Sequence, residues 1–271
     1  MPFLERGEAR IHYQVSGSGP PTLGLSGFAS TGEAWDLFEP FLPGCTLVRF
    51  DYRLTGASTA PDQSVTPAQS AADAAALLEA LGTGPAAVFG ISAGGMASLE
   101  LALARPDLVS RLVLGCTTAG GEAWFDRLRL SEDLWDLVVG VTLLPHDPSD
   151  AYDLLLPILV PARQVTPEMK TLFVDQLKVR RDPPTPPWAL LRHLQGQMLP
   201  GYDVRDRLGE LQLPVLVQHG TEDRIVPFEE GELIAKAVPQ AELHALPGAA
   251  HVYWLEDPAG VFARVAQFVS G

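Results

Sequence analysis

Ala86-Ala87-Val88-Phe89-Gly90-Ile91-Ser92-Ala93-Gly94-Gly95-Met96 is the stretch on which the reading of this chain turns. Ala86 to Gly90 is a short apolar run of strand length, and Ala93 to Ala104 is apolar on nearly every face, which predicts a buried helix stopped by Arg105-Pro106. Between the two lies the spacing Gly90-x-Ser92-x-Gly94. At a junction of buried strand and buried helix this spacing has a steric cause: the serine occupies a strained turn, and the glycines let backbone approach without a clash. The Ser92 hydroxyl then projects from the sheet edge, and the helix N-terminus aims N–H groups at any developing negative charge. The blander alternative is that Ser92 merely caps the helix.

Upstream, Ala9 to Val15 reads as an edge strand and Thr22 to Ser26 as a second, separated by a Gly/Pro-rich turn. Trp35, Phe38 and Leu42 have helical spacing within Ala34 to Leu42, and Thr46 to Phe50 is a strand ending in Asp51-Tyr52-Arg53. Thr66-Pro67 supplies an N-cap and a first-turn proline for an Ala-rich helix to Leu81, terminated by Gly82 and Gly84. Downstream, Leu112 to Cys116, Leu213 to His219 and Glu242 to Leu246 read as strands, with helices at Glu229 to Ala237 and Pro258 to Val269. Short apolar strands alternating with helices predict an α/β fold with a mostly parallel sheet and a site at the carboxyl ends of its strands. From Glu122 to Tyr202 strand alternation vanishes, and Asp182-Pro183-Pro184-Thr185-Pro186-Pro187 stiffens the chain. The expected organisation is therefore a core of residues 1–121 and 203–271 with a helical cap at 122–202.

Of the 271 residues 46% are hydrophobic and 19% charged, enough apolar material for a sizeable core. A net charge of −14 repels phosphate backbones and anionic headgroups, so neither nucleic acid nor a membrane surface is expected as a partner. Cys45 and Cys116 lie in apolar runs and read as buried free thiols, which fits a reducing, cytoplasmic setting. The N-terminus lacks an export-signal pattern, and no run reaches about 18 apolar residues.

A serine hydroxyl needs a general base, and the base needs a carboxylate to hold its tautomer. Asp223 follows a predicted strand in Gln218-His219-Gly220-Thr221-Glu222-Asp223-Arg224-Ile225-Val226-Pro227, and His251 closes Pro247-Gly248-Ala249-Ala250-His251 after the last strand. The order Ser92, Asp223, His251 is that of one hydrolase class. Glu122, soon after the predicted strand Leu112 to Cys116, is a second carboxylate to weigh, and Asp223 in its Gly-x-x-Asp-x-x-Val-Pro context is preferred to it. The other histidines, His12, His146, His193, His219 and His244, lack paired ligand spacing and read as structural, with His219 holding the Asp223 loop and His146 and His193 the two that could face substrate. Asp51 and Arg53 read as a turn-fixing polar pair.

Four stretches together resemble the α/β-hydrolase fold superfamily: Leu25-Ser26-Gly27-Phe28 with Trp35, Asp51-Tyr52-Arg53-Leu54-Thr55-Gly56-Ala57-Ser58, the Ser92 turn, and the Asp223 and His251 loops. Within it the chain is similar to 3-oxoadipate enol-lactonase-like and carboxylesterase-like serine hydrolases. The resemblance implies Ser92 as nucleophile, His251 as base, Asp223 as its orienting acid, and an oxyanion hole from the Phe28 and Ala93 N–H groups. It implies a small, apolar or moderately polar carbonyl substrate, an ester or lactone, and no cofactor or metal. The same triad serves C–C bond and amide hydrolysis and cofactor-free perhydrolysis. From another class comes a ligand-binding protein on a hydrolase scaffold. Trp124, Phe125, Trp135, Trp188 and Val252 are the candidate pocket residues. Two positions depart from the family pattern. Ser26 stands where a histidine commonly supports the oxyanion loop, and Leu54 replaces a glycine, so a tight turn is not expected there.

Overall fold

The computed structural model describes residues 1–28, 30–130, 156–161, 163, 165–167, 171, 185–197, 201–255 and 257–270. Eight strands form one sheet: β1 Phe3–Arg6, β2 Ala9–Gly17, β3 Pro21–Leu25, β4 Thr46–Phe50, β5 Ala86–Ile91, β6 Val109–Gly115, β7 Val215–Gly220 and β8 Ala241–Leu246. Their order is β1-β2-β4-β3-β5-β6-β7-β8. The two pairings that involve β2 are antiparallel, and all those from β4 onward are parallel. This is the α/β fold with a mostly parallel sheet that the strand-helix alternation predicts.

Side chains alternate across the sheet with period two. Val88, Leu112 and Leu114 face a core shared with Leu77, Leu78 and Leu99. Phe89, Val113 and Leu216 face a second core with Trp35, Phe38 and Phe262. The first is covered by helices α1 (Pro67–Leu81) and α2 (Ala93–Ala104). Thr66 caps α1 by accepting the Gln69 N–H at 3.1 Å, and Gly82 ends it in the left-handed region at φ 62°. Glu122–Leu130 forms α3, Pro187–Gln197 forms α4, Phe228–Ala237 forms α5 and Pro258–Ser270 forms α6.

Three local expectations change. Strand β2 is not the edge, because β1 pairs outside it with Phe3 opposite His12. Its four residues, Phe-Leu-Glu-Arg, are too few to show alternation, and Gly7 at φ 66° makes the connecting turn. Ala34 to Leu42 is not an α-helix but two 3₁₀ pieces, Gly32–Leu37 and Glu39–Phe41. Pro40 disfavours a continuous helix through Glu39, yet Trp35 and Phe38 still point inward.

Leu54, thirdly, does make the tight turn, in the left-handed region at φ 65°, with Thr55 N–H donating to Tyr52 O at 3.0 Å. Such a backbone costs a non-glycine residue about 1–2 kcal/mol. Its buried side chain packs with Val65 and Ala189, so the strain is offset by a contact that seats α4. That seat is reinforced by the Val65 N–H donating to Arg192 O at 3.1 Å and by an Arg192–Asp62 ion pair.

Candidate active site

Strand β5 ends and α2 begins at Ser92, whose backbone lies at φ 55°, ψ −121°. Although Ser92 occupies the N-cap position, its side chain makes no capping bond, so the capping alternative fails. The glycines are required by contact. A Cβ on Gly90 would lie 2.1 Å from Ser98 Oγ, and one on Gly94 2.0 Å from Leu25 O. The turn is tied to the end of β6 twice: Ser92 N–H donates to Gly115 O at 2.8 Å, and Thr117 Oγ1 donates to Ser92 O at 2.6 Å.

His251 Nε2 lies 3.2 Å from Ser92 Oγ, and His251 Nδ1 lies 2.8 Å from Asp223 Oδ2. The three side chains therefore stand in line at the carboxyl edge of the sheet. The other oxygen of Asp223 accepts the Ile225 and Val226 N–H groups, each at 2.9 Å. His219 Nε2 donates to Val226 O at 2.8 Å and lies 3.4 Å from Asp223 Oδ2, pinning the loop. Burial by itself would raise the Asp223 carboxyl, but the charge of His251 and hydrogen bonds from His219 and His251 outweigh it and hold the group at about 2. Burial likewise disfavours the His251 cation, and the adjacent Asp223 carboxylate reverses that, lifting the imidazole well above its ordinary value. Such an imidazole is a strong base for a neighbouring hydroxyl proton.

The loop after β3 lies across Ser92: a Cβ on Gly27 would be 3.5 Å from Ser92 Cβ. Phe28 follows it, half-buried against the first core. Ser26, in the place of the usual histidine, closes this loop by donating from Oγ to Thr31 O at 2.9 Å. Tyr52 donates its hydroxyl to Ser26 O at 2.8 Å, and Gly32 N–H donates to Asp51 Oδ1 at 2.8 Å. Asp51 Oδ2 in turn bonds His12 Nδ1 and the Ala57 N–H, each at 2.9 Å. Asp51 and Arg53 are thus not a pair. Arg53 forks onto buried Asp73 at 2.6 and 2.9 Å, while Asp51 supports the loop beside Ser92. Sequence reasoning read His12 as structural without its partner and missed the roles of Tyr52 and Thr117; for Tyr52 the signal was the Asp51-Tyr52 turn itself.

The pocket candidates separate. Trp124 and Phe125 are buried in the first core with ring centroids 4.8 Å apart. Trp188 is 47% exposed on α4. Val252, half-buried beside His251, packs against Leu156 and Val160, and its N–H donates to Leu159 O at 3.0 Å. Trp135 and His146 lie outside the described residues. His193 does not face an open site: it is buried, its Nε2 donating to Arg53 O at 2.8 Å. Glu122 is exposed at the start of α3, away from the His251 partner position that Asp223 fills.

A mostly parallel sheet of this topology with a serine-bearing turn at its carboxyl edge defines the α/β-hydrolases as a class. The chain belongs to that family, matching the alpha/beta hydrolase fold over residues 23–258. It is 25% identical to the putative carbamate hydrolase RutD of Azorhizobium caulinodans over 261 residues, covering 95% of this chain and 94% of the relative. Among solved structures it is similar to Est816, an N-acyl homoserine lactone degrading enzyme, with a TM-score of 0.78 and 26% identity over 99% of this chain and 100% of that one. The enol-lactonase of Burkholderia xenovorans LB400 shares the fold with a TM-score of 0.80 at 23% identity, covering 100% of both chains. No helix among the described residues is long and apolar enough to cross a membrane.

Proposed function

We propose that this protein is a serine hydrolase that cleaves a carboxylic ester or lactone through an acyl-enzyme on Ser92. The observation that carries the reading is the line Asp223, His251, Ser92, with both hydrogen-bond distances at 3.2 Å or less. His251 Nε2 takes the Ser92 proton as Oγ adds to the substrate carbonyl, and Asp223 stabilises the imidazolium that forms. The N–H groups of Phe28 and Ala93 hold the tetrahedral oxyanion. Collapse expels the alcohol, or the ring oxygen of a lactone, with the proton returned by His251. Water, activated by the same imidazole, then attacks the acyl-enzyme and frees the acid.

The relative named as a carbamate hydrolase and the structure named as a lactone-degrading enzyme both fit acyl chemistry at a carbonyl carbon. In this reading residues 122–202 form a cap over the sheet edge, with Val252 on the pocket wall. Two buried free thiols suit a reducing compartment.

The test is hydrolysis of p-nitrophenyl acetate and longer acyl homologues by wild type and Ser92→Ala, beside labelling with a fluorophosphonate. Wild type is expected to turn over and label, and Ser92→Ala to lose at least about a hundredfold in rate together with the label. A wild type that binds such esters tightly without turnover or labelling would overturn the reading in favour of a binding protein.

A further inference from the structure

Directly after β6 stands Cys116, fully buried and free. Its backbone is in the left-handed region at φ 41°, which side chains rarely adopt, and is held there by its N–H donating to Gln218 O at 2.9 Å. That conformation places the thiol beside the triad. Cys116 Sγ, one nitrogen of His251 and one carboxylate oxygen of Asp223 all lie within 4.8 Å of one another.

A thiolate, an imidazole and a carboxylate are the donor set preferred by zinc and its softer congener cadmium, while calcium and magnesium prefer oxygen alone. We propose that Cys116, Asp223 and His251 form a binding site for a thiophilic divalent cation, Zn²⁺ or Cd²⁺, whose occupation stops hydrolysis by engaging the catalytic base. As the metal–sulfur bond forms, the thiol proton passes to solvent, and the imidazole likewise gives up a proton to solvent as a lone pair of His251 goes to the ion in place of a present hydrogen bond. No electron is transferred. Burial pushes the Cys116 thiol up, so metal binding must displace its proton. The competing account of Cys116 is as a small apolar filler of the second core, where it packs with Ile91, Val113 and Leu216. A filler would leave metal sensitivity unchanged when replaced by alanine.

Only the inhibition arm rests on the serine-hydrolase reading, so the full-length, metal-free protein is first titrated with Cd²⁺ and the ultraviolet sulfur-to-cadmium charge-transfer band followed. One band of unit stoichiometry is expected, lost in Cys116→Ala and retained in Cys45→Ser. In parallel, Zn²⁺ inhibition of p-nitrophenyl ester hydrolysis is measured relative to each variant's own metal-free rate. Both Cys116→Ala and Cys116→Ser are expected to weaken it by at least about tenfold, and Mg²⁺ and Ca²⁺ to have no effect on wild type. His251→Gln, with the thiol intact, is expected to weaken Cd²⁺ binding by a similar factor and serves if the Cys116 variants do not fold. A band that follows Cys45, equal zinc sensitivity in wild type and both Cys116 variants, or unchanged Cd²⁺ affinity in His251→Gln overturns the proposal. If Ser92→Ala retains hydrolysis, the catalytic reading fails while the cadmium band still decides the site. If labelling of Ser92 succeeds and no band forms, the metal site fails alone.

Discussion

Asp223 and His251 form a buried ion pair in waiting, and its electrostatics set how activity should depend on pH. The carboxyl, held at about 2, stays ionised across the working range, while the raised imidazole must lose its proton before it can accept one from Ser92. The acid limb of kcat/KM is therefore expected above about 6.5, the value of an unperturbed histidine. Asp223→Asn removes the charge that raises His251, so the limb should move to lower pH while the rate falls by about a hundredfold or more. Profiles of wild type and variant between mild acid and mild alkali check this; a limb that does not move contradicts the assignment. Thr117 acts one bond further out. Thr117→Val deletes the donor to Ser92 O, and a loss of about 1 kcal/mol in urea-denaturation stability is expected, with kcat reduced and KM little changed.

At the scale of elements, the turn between β5 and α2 is positioned by contact with the loop after β3. Gly94→Ala would drive its Cβ onto the carbonyls of Leu25 and Ser26, at 2.0 and 2.5 Å, and should destabilise by about 3 kcal/mol or abolish folding, read by denaturant midpoint. Ser26→Ala tests the same loop more gently. Without the hydrogen bond to Thr31 O, the loop after β3 loosens, and with the oxyanion hole proposed above at Phe28, kcat should drop about fivefold to tenfold with the fold intact by circular dichroism. The Gly-x-Ser-x-Gly turn, the Thr66 cap of α1 and the parallel strands could be read because apolar period, capping and steric need are properties of adjacent residues. The 3₁₀ pieces at 32–41 could not, because helical spacing of Trp35 and Phe38 survives in either geometry. Strand β1 was too short for periodicity to register.

For the whole molecule, His193 is the joint between α4 and the turn that supports the site. Both its nitrogens are satisfied in the neutral form: Nε2 donates to Arg53 O, and Nδ1 accepts from the Gln197 amide at 3.1 Å. Burial lowers it to about 4, despite the opposing bond to Arg53 O. Since the unfolded chain binds this proton near 6.5, its contribution is complete above that pH and is lost as pH falls from about 6.5 towards 4, up to about 3 kcal/mol. Urea denaturation of wild type and His193→Gln at both pH values should show the steeper acid loss in wild type. Equal losses would mean that His193 is not held neutral.

The amino-acid sequence alone determined the alternation of strand and helix, the strained serine turn and the identity of the three residues in line. Each of these rests on spacing within one segment or on the order of segments along the chain. Partnership was decided only in three dimensions. Arg53 chose Asp73, Asp51 chose His12 at a separation of 39 residues, and Cys116 came to stand beside the Asp223–His251 pair. His251 reached Ser92 across 159 residues. A buried polar group takes whichever partner the packing brings within about 3 Å, and that depends on sheet order and helix docking, which no local pattern encodes.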